Sequence, residues 1–111
     1  MSAILVVTNL PDSASAFNLA RELVGRRLAA CVNVLSPVTS FYRWEGRLEE
    51  ASEHPVLIKT TRERYPALEA AIRSLNPYTL PEIVALPIEA GWPAYLEWVE
   101  AETRPQPAPA P

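Results

Sequence analysis

Unbroken apolar runs of strand length alternate along the chain with stretches whose apolar residues recur every three or four positions, the spacing of a helix with one buried face. Ala3 to Thr8 is the first run, closed by the turn signal Asn9-Leu10-Pro11-Asp12, and either Asp12 or Ser13 suits the cap of the helix that follows. Over Ser15 to Ala30, Ala16, Leu19, Ala20, Leu23, Val24 and Leu28 fall on one side, and Arg21, Glu22, Arg26 and Arg27 on the other. This predicts an amphipathic helix packed on a sheet, left without a glycine stop.

From Cys31 to Trp44 the chain is β-branched and aromatic for about fourteen positions, then meets the turn pair Glu45-Gly46. At ~3.3 Å per residue such a ribbon spans about 46 Å, against a radius of gyration of ~13 Å for a domain of this size. Part of it must leave the body of its own subunit. Pro37 cannot donate to a ladder, which predicts a bulge or kink that lets Cys31 to Ser36 and Thr39 to Trp44 pair with different neighbours. Arg47 to Glu50 then returns beside the ribbon, before Glu53 to Thr60 forms a core strand through Val56, Leu57 and Ile58, its burial starting at Pro55.

A second helix is predicted from Glu63 to Leu75, with Pro66 in its first turn, Tyr65, Leu68, Ile72 and Leu75 on one face, and Asn76-Pro77 as its end. Ile83 to Ile88 reads as a last strand, and Gly91-Trp92-Pro93 opens a third helix to about Glu102. One domain over residues 1–103 results, with residues 104–111, alternating Pro and Ala around Gln106, as a disordered tail. Strand, helix, strand, strand, helix, strand and an extra C-terminal helix make the split βαβ pattern of a ferredoxin-like α+β sandwich with an extended central β-hairpin. Ile4-Leu5-Val6-Val7, Val56-Leu57-Ile58 and Ile83-Val84-Ala85-Leu86 are apolar on both strand faces, where a half-solvated sheet alternates. With two helices on one face, a ring of identical subunits packed sheet to sheet accounts for the other.

Composition narrows the function. A net charge of −3 and a pI near 5.1 lack the basic field that nucleic acid or an anionic membrane surface calls for, so neither is expected as a partner. The N-terminal run lacks a basic n-region and breaks at Thr8-Asn9, and no apolar run approaches ~18 residues. A lone cysteine, Cys31, fits a reducing compartment, and a cytoplasmic location is expected. Gly25, Gly46 and Gly91 are not spaced to cradle phosphate. No nucleophile-elbow motif accompanies the single histidine, His54, which reads as a surface residue.

Cys31 is either an inert core thiol or a soft-metal ligand needing help from other side chains such as Glu53, Glu82 or Glu89. Tyr42 and Trp44 point to one side of the ribbon and Phe41 to the other, so the pair either packs against a neighbour or lines a pocket. Lys59, the only lysine beside nine arginines, closes an apolar strand, where it pairs with Glu53 or Glu82 or meets an anionic ligand. The proline-bracketed loop from Asn76 to Glu82 ends in a carboxylate and is a candidate pocket wall.

Leu28-Ala-Ala-Cys-Val-Asn33, Ser40-Phe-Tyr-Arg-Trp-Glu-Gly46, Ile58-Lys-Thr60, Asn76-Pro-Tyr78, Pro81-Glu-Ile83, Ala85-Leu-Pro87 and Tyr95-Leu-Glu-Trp98 resemble, in order from about Ile4 to Glu102, the CutA divalent-cation tolerance proteins. The resemblance implies a ferredoxin-like subunit in a tight homotrimer, and a non-enzymatic role in tolerance of copper and other divalent metal ions. It also implies a cleft between subunits lined by Tyr42, Trp44, Lys59, Tyr78 and Glu82. Asn76 stands where family members commonly carry histidine, an amide that binds copper or zinc poorly, which leaves Cys31 and Glu82 as the metal-ligand candidates.

Four alternatives share the subunit topology or the assembly. A trimeric PII-like regulator binding a small anionic ligand carries a long loop where Glu45-Gly46 suggests a tight hairpin. An acylphosphatase-like enzyme needs amides and an arginine after the first strand, which Asn9-Leu10-Pro11-Asp12-Ser13 does not supply. RNA binding by an RRM-like sheet needs aromatics that Glu53 to Thr60 lacks. A trimeric scaffold for protein partners is the remaining one.

Overall fold

The longest element of the computed structural model, which describes residues 2–105, is a strand. In chain order the elements are β1 (Ala3–Leu10), α1 (Ser13–Gly25), β2 (Cys31–Val34), β3 (Val38–Trp44), β4 (Arg47–Thr61), α2 (Tyr65–Leu75), β5 (Ile83–Pro87) and α3 (Pro93–Glu102). The main sheet runs β2-β4-β1-β5 and β3 joins it only through β4, every neighbouring pair being antiparallel. The split βαβ order expected from the hydrophobic pattern is the one observed.

β4 is a single strand of 15 residues, where Arg47 to Glu50 and Glu53 to Thr60 looked like two. Its polar outer stretch is held by backbone pairing with β3, from Trp44↔Arg47 to Val38↔Glu53, and a ladder of that kind needs no apolar pattern. β2 pairs the inner stretch, from Val34↔Val56 to Cys31↔Lys59. Pro37 does separate β2 from β3, but both halves of the ribbon lie against this same strand and not against different neighbours. Pro55 sits at the junction, where its carbonyl accepts a hydrogen bond from Leu35 N at 2.9 Å, and full burial begins at Val56.

β1 continues two residues beyond Thr8. Leu10 is fully buried and pairs with His54, so the turn starts only at Pro11. Asp12 caps α1 by accepting a hydrogen bond from Ser15 N at 2.7 Å, a bond that holds its carboxyl below the usual carboxylate range. α1 stops at Gly25, five residues before the end that the pattern predicted. The stop is a Schellman turn: Leu28 N donates to Leu23 O, Arg27 N donates to Val24 O, and Arg27 takes the left-handed conformation usually left to glycine (φ 58°). Its guanidinium pins that strained residue by donating to Ala101 O at 2.8 Å and Arg104 O at 3.0 Å. Leu28 and Ala29 are buried after the helix has ended, which is why the periodicity overshoots. α2 likewise begins two residues later than predicted, with Pro66 in its first turn. The tail assigned to residues 104–111 falls, from residue 106 on, outside the described residues.

The core lies between the sheet and the pair α1 and α2. Val6, Leu10, Val56 and Ile58 from the strands and Leu19, Leu23, Leu68 and Ile72 from the helices are wholly buried, each contributing about 1.5–3 kcal/mol of apolar burial. The opposite sheet face is covered unevenly. α3 packs on β4 and β1, and Ala3 and Thr61 are buried at that end. Farther along, Leu5, Val7 and Leu57 are half-buried, while Val84 and Leu86 are each 48% exposed.

Beyond the core β3 and the outer part of β4 project as a bare hairpin. The molecule is accordingly elongated, 51 × 38 × 23 Å, with a radius of gyration of 15.1 Å against ~13 Å for a compact chain of this length. Glu45 (φ 48°) and Gly46 (φ 79°) close the hairpin in two residues of the handedness that a tight connection requires.

Candidate ligand cleft

The site is built from the end of α2 inward. Asn76, which terminates that helix, is buried: its Nδ2 donates to Asn9 O at 3.0 Å and its Oδ1 accepts from Tyr78 N at 2.9 Å. These bonds tie the 77–81 loop to the end of β1 and fix where Tyr78 leaves the backbone. Asn9 lies on the sheet face away from α1 and α2, by alternation from the buried Thr8 and Leu10, and its Nδ2 donates to Glu82 Oε1 at 2.9 Å. Tyr78 stands beside the carboxylate of Glu53 on β4. Burial first, then Glu53 and the nearby Tyr42 and Asp12, push its phenol well above the usual tyrosine value of 10.0.

Between this frame and the root of the hairpin is a cleft of about 610 Å³. Tyr42 and Trp44 of β3 form one side, and Tyr78, Leu80 and Glu82 the other, with Glu53 and Asn9 between them. The register puts Tyr42 opposite Glu49, Trp44 opposite Arg47 and Phe41 opposite Glu50; Tyr42 and Trp44 share a strand face as the alternation predicted, and Phe41 and Ser40 line the cleft as well. Among the described residues, Glu53 and Glu82 are the formally charged side chains on the walls.

Four of the five residues assigned to the cleft, Tyr42, Trp44, Tyr78 and Glu82, are brought together; Lys59 is not. It occupies the opposite end of β4, paired with Cys31 and Leu5, and its Nζ donates to Asn33 Oδ1 at 2.6 Å, not to Glu53 or Glu82. Six residues of extended strand separate Lys59 from Glu53, about 20 Å, which no lysine side chain spans. The proposed metal-ligand pair is also split. Cys31 sits beside Lys59 at the level of Leu5, and Glu82 is bonded to Asn9, four residues or about 13 Å along β1. Cys31 is half-buried and lies against Tyr95 of α3, whose phenol is pushed up by burial and by that thiol. Among the described residues no group of three or more His, Cys, Asp or Glu converges in a way that would hold a metal ion.

Sequence reasoning did not assign Asn9, Ser40, Phe41 and Glu53 to the cleft, whereas Thr79 and Leu80 belong to the loop expected as a pocket wall. Asn9 looked like a turn residue, yet Leu5, Val7 and Asn9 are consecutive members of one strand face, and that alternation was the available signal. Asn76 is buried and spends one bond at each end of its amide on the backbone it organises. His54 is half-buried rather than at the surface, its Nδ1 3.0 Å from Leu35 O.

Residues 4–102 match the family described as CutA1 divalent ion tolerance protein. The divalent-cation tolerance protein CutA of Thermus thermophilus is 44% identical over 99 residues, covering 89% of this chain and 96% of that protein. A mouse protein named CutA is 46% identical over 93 residues, which cover 84% of this chain and 52% of that longer protein. The solved structure of the Thermus thermophilus divalent cation tolerance protein superposes with a TM-score of 0.90 at 43% identity, over 92% of this chain and 99% of that one.

Proposed function

The chain belongs to the CutA1 divalent ion tolerance family, and from that premise we propose that it acts in divalent-cation tolerance as a non-catalytic homotrimer whose inter-subunit clefts bind a small ligand. The cleft carries this reading: Tyr42, Trp44, Tyr78 and Glu82 converge on about 610 Å³ at the root of a hairpin that projects from its own subunit. A two-stranded hairpin is marginal in water by itself, and the sheet face bearing Val84 and Leu86 is open. Three copies, each seating its hairpin on the next one's open face, bury both and close the cleft. The cytoplasmic location expected from the single cysteine belongs to the same reading.

Copper or another divalent cation is, on this reading, a ligand of the assembly and not of one subunit. Cys31 and Glu82 lie apart within each copy, so a coordination sphere needs side chains from more than one. The PII-like alternative is not favoured. Its anionic ligand meets two carboxylates in this cleft, and the two-residue turn at Glu45-Gly46 leaves no long loop to close over a nucleotide.

Native mass spectrometry of the metal-stripped full chain, followed by calorimetric titration with copper(II) and zinc(II), tests the proposal. The expected result is a mass near three times 12.3 kDa, with metal binding tighter than about millimolar. A monomer mass overturns the inter-subunit cleft. A trimer that binds neither metal removes direct metal binding and leaves the small-ligand cleft.

A further inference from the structure

The chemistry of the cleft walls selects among small ligands, and we infer that the cleft takes an organic ammonium ion with an apolar body. This rests on the reading of the cleft as a ligand site and adds the class of ligand. A volume of about 610 Å³ is that of a small organic molecule and far exceeds what a bare metal ion and a few donor atoms occupy. Both formally charged side chains that this subunit places on the walls, Glu53 and Glu82, are acidic, and among its described residues no lysine, arginine or histidine lines the cleft. This subunit's share of the site favours a cation.

Glu82 is also pre-positioned: it accepts Asn9 Nδ2 at 2.9 Å, while Glu53 stands beside the Tyr78 phenol on the same wall, and both keep acceptor capacity to spare. A primary ammonium has N–H groups to fill those lone pairs without displacing the Asn9 amide. A hard divalent cation asks for six or more converging oxygens, which this cleft does not gather. The aromatic rings of Tyr42, Trp44 and Tyr78 then serve two ends. They attract a cation through the ring quadrupole, and they give a hydrocarbon body apolar surface to cover.

The test uses the full-length chain and three probes of nearly one shape: 2-phenylethylammonium, the neutral 2-phenylethanol and the anionic phenylacetate. They are titrated at constant ionic strength while amide NMR shifts are followed. The cation is expected to bind about tenfold more tightly than the alcohol, with cleft residues shifting, and phenylacetate to give no saturable shift. Glu82→Gln and Glu53→Gln, which keep the side-chain shape, should each weaken the cation by about three- to tenfold without changing the alcohol. Trp44→Leu should weaken both probes, and Arg21→Gln, exposed on α1 across the sheet from the cleft, neither. Equal affinity for the cation and the alcohol within the cleft overturns the charge selection but leaves a small-ligand site. Absence of any probe binding overturns the ligand class and, when the native mass is also that of one chain, the reading of the cleft with it.

Discussion

The two halves of β4 have the same backbone geometry and opposite surroundings. From Val56 to Lys59 the strand is flanked on both sides by β1 and β2, and alternate residues are sealed under α1 and α2. From Arg47 to Glu53 it has one neighbour, β3, and Leu48 is 73% exposed. The inner half is held by burial and the outer half by a backbone ladder and a two-residue turn. Hydrogen bonding alone can fix the shape of a strand, and burial fixes its stability. A hairpin that keeps its shape without a core is what an assembly can use as an arm.

The largest effect should come from the inner half. Ile58→Ala removes a wholly buried side chain and should cost about 2–5 kcal/mol, read as a lower urea midpoint at unchanged slope. A cost below about 1 kcal/mol would mean that the inner half is no better packed than the arm.

At the junction of the halves, alkaline titration of Tyr78 gives an intermediate effect. Its phenol is raised above 10.0 in the folded protein, so the folded state keeps a proton that the unfolded chain has lost. The associated stability is complete below about pH 10 and declines as pH rises from there toward the folded value. Urea midpoints measured from about pH 8 to 11.5 should fall less steeply in Tyr78→Phe than in the natural chain, a difference that separates Tyr78 from the similarly raised Tyr65 and Tyr95. Parallel curves would show that burial beside Glu53 does not raise the Tyr78 phenol.

The smallest effect belongs to the arm. Leu48→Ala should change the stability of the isolated subunit by less than about 0.5 kcal/mol. A larger loss, with a midpoint that depends on protein concentration, would show that a second copy covers this side chain and would sharpen the contrast into one between a core and an interface.

Element order, the break at Pro37, the shared face of Tyr42 and Trp44 and the apolar sheet interior were legible because each depends on local periodicity. The end of α1 was not, because Leu28 and Ala29 stay apolar and in phase after the helix has turned through Arg27. Within one subunit Lys59 lies away from the cleft, and the motif did not show it for a related reason. Proximity in a motif does not say which end of a 15-residue strand faces the cleft, and only the pairing Lys59↔Leu5 against Pro55↔Asn9 does. Asn76 looked like a lost ligand from its position before Pro-Tyr. Its bonds to Asn9 and Tyr78 show that the position shapes the loop.

The grip of Arg27 on Ala101 bears on timing. That contact closes a loop of 74 residues, joining the first helix-to-strand turn to the end of the last helix. During synthesis the left-handed turn at Arg27 emerges long before its anchor exists, so it stays unlatched until α3 has been made. The turn at Arg27 is therefore latched only after the last helix has been made, and its completion follows the order of manufacture of α3 rather than its own.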